Sequence, residues 1–255
     1  MNAVLAVVLD IGTLAAYGRP YIAPVVDSIV PGRPANLAGL VKGDSIASIN
    51  GRPVTEWQEL LTTVSRSAGR PVTLEIVRGG EHRTITVTPA ASDVPNQLTG
   101  KNEKLGRIGA APRAQLSREA LPFGEAVVGG WNDTWEKAGG IVMIVRGLFT
   151  GAVSTSQLGG PIQIAEVSVQ AAQGGLETLL SLIAFLSINV AVLNMLPVPI
   201  LDGGQILLNV LEAAKGSAFS AQTREYILRA GLVAIALLFA LVMFNDIKGL
   251  LQRFG

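Results

Sequence analysis

The sequence contains no cysteine and a single histidine, His82. Without cysteine the chain can form no disulfide scaffold, thiol nucleophile or thiolate metal site. With one histidine it cannot by itself supply a metal site that needs two imidazoles. His82 lies in the segment RGGEHRTITV, whose pattern predicts the tip of a hairpin. We therefore interpret it as an exposed turn residue and not as a metal ligand.

Charged residues are also scarce, at 15% of the 255 residues, whereas a typical soluble domain carries about 25%. The mean hydropathy of +0.44 argues against a wholly soluble protein. The 20 Lys and Arg nearly cancel the 19 Asp and Glu, so no overall basic field would attract nucleic acid. We expect membrane-spanning segments and no nucleic acid partner.

Three apolar stretches approach the length of about 20 residues that a membrane-spanning helix needs. Residues 1–17 contain Asp10 and predict the latter part of a membrane helix, because no Lys or Arg precedes the apolar run as it does in a signal peptide. Residues 176–212 and 227–247 predict two further spans, and residues 248–255 a tail. The loop at residues 213–226 and its flanks carry three Lys or Arg against two Glu, which favours the cytoplasmic side. The long segment before the second span would then face away from the cytoplasm.

Residues 18–90 change to short apolar alternations separated by Gly, Pro, Asn and Asp. The segments VVDSIV, DSIASIN, VTLEIV and RTITVTP predict strands. Residues 55–67 predict one amphipathic helix, because Trp57, Leu60, Leu61 and Val64 stand at helical spacing. One helix on a small antiparallel sheet is an α+β module.

Within this module, residues 31–54 read PGRPANLAGLVKGDSIASINGRPV, which resembles the PDZ domain of bacterial membrane proteases. The resemblance implies that an extended peptide or a chain terminus binds as an added strand beside a sheet edge and a helix. Tyr21 and Ile22, just before the first predicted strand, are our candidates for contacting that peptide. A PDZ domain that serves only as a steric filter or spacer is the alternative.

Two segments of mixed polarity follow. Residues 91–121 predict a polar linker with little periodicity. Residues 122–175 predict one or two amphipathic helices on the membrane surface, where Trp131 and Trp135 would be favoured, and then the stretch LGGPIQIAE. A helix packed on the soluble module is the alternative for the amphipathic part.

The clearest chemical signal is the stretch NVAVLNMLPVPILDGGQILL at residues 189–208. Our candidate site residues are among those that interrupt its apolar pattern: Asn194, Pro197, Pro199, Asp202, Gly203 and Gly204. An ionisable group within a membrane is costly enough to indicate a functional site. The two prolines break the helix and the two glycines permit a turn, and unwound backbone at that depth must line protein or water. A helix end at the cytoplasmic interface, with an ordinary turn, is the alternative.

The pattern NxxPxPxLDGG, from Asn194 to Gly204, resembles the second signature of the site-2 protease family of intramembrane zinc metalloproteases. The stretch LGGPIQIAE resembles the GPI-containing segment of the same family. The resemblance implies a polytopic α-helical membrane protein with an inserted α+β PDZ domain, placed in the inner (cytoplasmic) cell membrane with the PDZ domain on the non-cytoplasmic side. Its substrates would be single-span membrane proteins cut during regulated intramembrane proteolysis, and its surroundings the lipid bilayer.

In this family zinc is held by two His of an HExxH motif and by the Asp of LDGG, and the Glu of HExxH is the general base. Only Asp202 maps onto this chain, as a zinc ligand, with Asn194 and the neighbouring prolines and glycines positioning substrate. The sequence contains no HExxH, and Asp202 alone cannot hold catalytic zinc. We expect that the sequence begins downstream of the metal-binding helix, with Asn2 in a GPxxN-like segment, and that the chain alone is inactive. The alternative from another class is a non-catalytic membrane-anchored adaptor that binds peptides through its PDZ domain.

Overall fold

The structure is a computed structural model that describes residues 1–96, 102–154 and 159–254. The chain forms two compact units. The helical unit comprises Met1–Tyr17 and Leu121–Gly255, and the β-rich unit comprises Gly18–Ala120. In chain order the elements are α1 (Asn2–Tyr17), β1 (Arg19–Ile22), β2 (Val26–Ile29), α2 (Pro34–Leu37), β3 (Ser45–Ile49), β4 (Arg52–Pro53), α3 (Trp57–Arg66), β5 (Val72–Arg78), β6 (Glu81–Val87), β7 (Ala90–Pro95), β8 (Asn102–Arg107), β9 (Ala110–Pro112), β10 (Leu116–Glu119), α4 (Phe123–Thr150), α5 (Pro161–Gln173), α6 (Leu176–Asn194), α7 (Asp202–Lys215) and α8 (Ala221–Phe254).

The β-rich unit has the helix and the strands that the alternating pattern predicts. Strands β4, β3, β5 and β6 form an antiparallel sheet in that order. Helix α3 buries Trp57, Leu60 and Val64 in the same core as residues of β3 and β5. The four predicted strands and the one amphipathic helix of residues 18–90 are therefore confirmed.

The segment 91–121, predicted as a linker, instead contributes strands to the β-rich unit. In its described part β7 pairs with β8, β9 pairs with β2, and β10 pairs with β1. Their partners lie up to about a hundred residues away in the sequence. Strands β7 and β9 carry mostly short side chains and β8 and β10 are mostly exposed, so backbone pairing holds the four strands without a regular apolar alternation. The compact unit consequently ends at Ala120 and not near residue 90.

A buried ion pair fixes the turn before β3. The Asp44 side chain has no exposed surface and accepts hydrogen bonds from Arg78 Nε at 2.7 Å, from Arg78 Nη2 at 2.8 Å and from the Val41 N–H at 2.9 Å. Burial raises the pKa of Asp44, but the hydrogen bonds from Arg78 and from the Val41 N–H outweigh that effect, and the pKa lies below its ordinary value of 3.8. The charged form of Asp44 is therefore favoured by folding.

This lowered pKa gives the β-rich unit a predictable acid sensitivity. The stabilisation is fully present above the ordinary pKa of 3.8 and is lost as the pH falls through the lower pKa of the folded state. We expect the unit to lose stability below about pH 4, and Asp44→Asn to lower stability at neutral pH while flattening the acid dependence. The measurement is acid and denaturant titration of the full chain with Trp131 and Trp135 replaced by Phe, which leaves the buried Trp57 as the only tryptophan.

The control for this titration is Asp27→Asn. Asp27 is a partly exposed carboxylate of the same unit, and it pairs with Lys42 at 3.0 Å on the surface. Surface ion pairs contribute little to stability, so this variant should keep the acid slope of the unchanged chain. An acid slope that is also unchanged in Asp44→Asn would contradict the prediction.

In the helical unit, α1 packs against α4 and α6. Small and branched apolar residues form the contact: Ala6, Ala138, Ile141 and Ile188. Two of the described helices are long and apolar enough to cross a membrane, Leu176–Asn194 and Ala221–Leu251, and α1 is a shorter apolar helix. These helices lie at the positions where the sequence predicts its three apolar segments.

Helix α4 is one continuous helix of 28 residues, where the sequence predicts one or two. It packs on α1, and its Trp131 and Trp135 are exposed, with their rings edge to face at 5.7 Å. Its position at a membrane surface stays a prediction.

Helices α1 and α4 share an ion pair whose carboxylate is buried and whose ammonium group belongs to a partly exposed lysine. Asp10 is 3% exposed, and its Oδ1 accepts a hydrogen bond from Lys137 Nζ at 2.6 Å. Its Oδ2 accepts a hydrogen bond from Thr134 Oγ1 at 2.7 Å. Close approach of the two helices makes this possible, because a Cβ on Gly130 would lie 2.6 Å from the Ile11 backbone nitrogen. The charge that interrupts the first apolar segment is thus paired inside the unit.

A candidate site between helices α6 and α7

The candidate site is a break between two helices. Helix α6 ends at Asn194 and α7 begins at Asp202, with Pro197 and Pro199 in the connection. Short local hydrogen bonds hold this connection, from the Val198 N–H to the Leu196 carbonyl at 2.7 Å and from the Leu201 N–H to the Val198 carbonyl at 2.8 Å. The predicted break is confirmed, and the predicted span at residues 176–212 is therefore two helices and not one.

Two glycines allow the first turn of α7 to lie directly on the connection. A Cβ on Gly203 would clash with the Met195 carbonyl oxygen, and one on Gly204 would clash with the Val198 carbonyl oxygen. Both obstacles are backbone atoms that cannot give way, so no side chain fits at either position. The two glycines of the signature therefore serve close backbone packing, which sets where α7 starts.

Gln205 is a residue of this site that the sequence analysis missed. Its Nε2 donates a hydrogen bond to the Pro199 carbonyl oxygen at 2.8 Å, and its backbone N–H donates to the Leu201 carbonyl at 3.1 Å. Proline removes a backbone donor and leaves carbonyl groups that need partners. The sequence did contain a signal for this residue, because Gln205 is a polar side chain directly after the two glycines.

Asp202 is the first residue of α7 and its side chain is exposed. A carboxylate is favoured at this position because the helix N-terminus carries a partial positive charge. Asn194 is half-buried at the end of α6, Pro199 is half-buried and Pro197 is exposed. The six predicted site residues thus lie at the end of α6, in the connection and in the first turn of α7.

The described residues do not fit a zinc ion by themselves. In residues 1–96, 102–154 and 159–254, no group of three or more His, Cys, Asp or Glu comes together that could hold a metal ion. Catalytic zinc takes three protein ligands and a water. His82 is exposed, as predicted. It lies in β6 of the β-rich unit, beside the turn, whereas the sequence predicts it in the turn itself. Asp202 could contribute one oxygen ligand.

A second feature is a cavity of about 560 Å³ in the β-rich unit. Leu60, Leu61 and Val64 of α3 line one side of it, and residues 105–111 of β8, β9 and their connection line the other. Arg33 and Arg107 also line the cavity, and its described lining includes no Asp or Glu.

Tyr21 and Ile22, predicted to contact peptide, are not brought to this cavity. They lie in β1 and pair with Ser117 and Leu116 of β10. The sequence predicts the ligand next to the first strand, whereas the cavity is lined by α3 and by β8 and β9, which both come from the supposed linker. The glycines of the stretch LGRIG at residues 105–109 were the missed signal.

Comparison with known proteins agrees with the signature. The pattern of Peptidase family M50 matches residues 1–238, and the chain belongs to that family. Regulator of sigma-E protease RseP of Salmonella typhimurium is 32% identical over 232 residues, which are 91% of this chain and 51% of that protein. A Rhizobium meliloti protein named "Putative zinc metalloprotease R01501" is 31% identical over 252 residues, 98% of this chain and 67% of that protein.

The chain spans about half the length of the sigma-E protease relatives that it matches. Among solved structures, the PDZ domain of the SdrC-like protein from Listeria monocytogenes matches 36% of this chain and 90% of that domain, with 21% identity and a TM-score of 0.28.

Proposed function

We propose that this chain carries the aspartate-bearing part of an intramembrane zinc metalloendopeptidase that cleaves single-span membrane proteins in regulated intramembrane proteolysis. The observation that carries the proposal is the break between α6 and α7, which presents Asp202 at the first residue of a helix whose start is fixed by Gly203 and Gly204. Membership of family M50 supports it.

In this proposal Asp202 is one ligand of the zinc, and the other ligands come from outside the described residues. Asn194 and the unwound chain at Pro197 and Pro199 lie on the same stretch, where an extended substrate would be positioned. Exposed apolar side chains of α6 and α8 would contact lipid in the inner membrane, with the β-rich unit on the non-cytoplasmic side. The test is Asp202→Ala, assayed for zinc and for cleavage after an HExxH helix has been supplied.

We further propose that the β-rich unit is a PDZ domain that binds an extended peptide in its cavity. Among the described strands β9 pairs with β2 only, so its other edge can accept an added strand on the side of α3. The apolar side chains of α3 would receive alternate side chains of that peptide. Arg33 and Arg107 make the cavity cationic, which suits a carboxylate on the ligand. A purely steric role predicts no such binding.

Leu61 provides a direct test of peptide binding. It lines the cavity yet is 46% exposed, so Leu61→Gln, which removes the apolar contact without adding a charge, should fold normally. We expect about tenfold weaker binding of a fluorescent decapeptide ending in Leu, which corresponds to about 1.4 kcal/mol. The matched control is Leu37→Gln, because Leu37 is 77% exposed in α2 and does not line the cavity. Fluorescence anisotropy measures both, and equal affinity of the Leu61 and Leu37 variants would exclude this groove as the binding site.

A further inference from the structure

Asp246, near the end of α8, caps the first turn of α5. Its Oδ1 accepts a hydrogen bond from the Gly160 N–H and its Oδ2 accepts one from the Ile162 N–H, both at 2.9 Å. Pro161 between them has no N–H, so one carboxylate satisfies both donors that these three residues offer. The first N–H groups of a helix have no partner within the helix, and a negative charge is favoured there. We call this contact the α5 cap.

Gly160 is part of the α5 cap because only a residue without a side chain fits. A Cβ at Gly160 would lie 2.5 Å from Asp246 Oδ2 and 2.8 Å from Val242 Cγ1. A larger residue would displace the carboxylate from the two N–H groups. The sequence Gly-Pro-Ile thus has a physical role, because its two N–H groups and its missing side chain at Gly160 accommodate the Asp246 carboxylate.

The same helix α8 also contacts the candidate site. A Cβ on Gly231 would lie 3.2 Å from the Cβ and Cδ of Pro199 and 3.4 Å from the Ile200 backbone nitrogen. Gly231 and Asp246 lie on one continuous helix, about 22 Å apart at a rise of 1.5 Å per residue. A shift of α8 along its axis would therefore change both the α5 cap and the contact with Pro199.

We infer that Asp246 is a positioning residue for the segment that presents Asp202. By fixing α8 to the start of α5, it holds Gly231 against Pro199, and Pro199 in turn receives the hydrogen bond from Gln205 in the first turn of α7. Asp246 acts through α8 and has no part in the chemistry. The inference rests on the proposed function only for the importance of Asp202.

Hydrogen exchange of the full chain in detergent, measured by mass spectrometry, tests this inference. Asp246→Asn keeps the shape of the side chain but offers only one acceptor oxygen, so one N–H loses its partner. We expect exchange to become at least about fivefold faster both at residues 160–164 and at residues 195–205, where the Val198, Leu201 and Gln205 amides are bonded. Glu225→Gln is the matched control, because Glu225 is an exposed carboxylate on the same helix that bonds Arg229, and it should change neither region.

Gly160→Ala tests the same contact from the side of α5 and covers the case in which Asp246→Asn does not fold. It should accelerate exchange in the same two regions, and the double variant should change them no more than the stronger single variant, since both remove one contact. Faster exchange confined to residues 160–164 would show a purely local cap and overturn the inference, as would no change in either region. Neither zinc nor cleavage enters this measurement, so its failure is separate from failure of the proposed function.

Discussion

Asp202→Ala is expected to abolish peptide-bond cleavage once the chain is supplied with an HExxH helix. Changes in groups that only support metal ligands already cost about 10–100-fold in metal affinity or activity, and loss of a direct ligand should cost at least about 100-fold. The variant should also lose most of its bound zinc. Membrane insertion should be unaffected, because Asp202 is exposed at the start of α7 and its removal leaves the packing of Gly203 and Gly204 in place.

The experiment uses a chimera in which an HExxH-bearing segment of a family M50 relative is joined ahead of Asn2. Cleavage of a single-span substrate in lipid vesicles and zinc content by elemental analysis are measured on the same preparations. Asn209→Ala is the matched control, because Asn209 is an exposed polar residue further along α7. Undiminished cleavage and zinc in the Asp202 variant would refute the ligand assignment. The zinc content of the chain without the added segment, compared with that of its Asp202→Ala variant, shows whether this sequence binds zinc by itself.

Lys137→Met is expected to destabilise the helical unit by about 3 kcal/mol or more, because it leaves the buried carboxylate of Asp10 without its counter-charge. The hydrogen bond from Thr134 remains and keeps the effect near the lower end of the usual 3–5 kcal/mol for breaking a buried pair. Replacing both partners, as Asp10→Leu with Lys137→Met, should recover most of the loss, since well-packed apolar residues often substitute for a buried ion pair.

Titration of the detergent-solubilised chain with SDS, followed by helical circular dichroism, measures these differences. The exposed pair of Glu225 and Arg229 provides the control, and Arg229→Met should change the free energy of unfolding by no more than about 1 kcal/mol. A Lys137→Met effect as small as that of Arg229→Met would mean that the Asp10 carboxylate does not depend on its partner.

Local patterns in the sequence predicted what depends on local physics. The alternation over residues 18–90 predicted the strands and the helix of the α+β module, and Pro197 with Pro199 predicted the break after α6. Both features follow from backbone preferences of the residues themselves.

Contacts between residues far apart in the chain leave no such local pattern in the sequence. Strand β10 pairs with β1 from the other end of the β-rich unit, so a half-exposed segment was interpreted as a linker. Asp10 was visible as a charge in an apolar segment, but nothing near it in the sequence indicates Lys137. Asp246 lies at the end of the predicted span 227–247, and nothing near it in the sequence indicates its hydrogen bonds with Gly160 and Ile162.

The pairing of β1 with β10 also bears on how such a protein can change during evolution. Arg19 stands opposite Glu119, so the chain enters and leaves the β-rich unit side by side, at a separation of about 5 Å. An insertion whose ends meet can be lengthened, exchanged for another domain or duplicated without altering the gap that the host has to bridge. The β-rich unit and the helices that carry Asp202 are therefore free to diversify independently of one another.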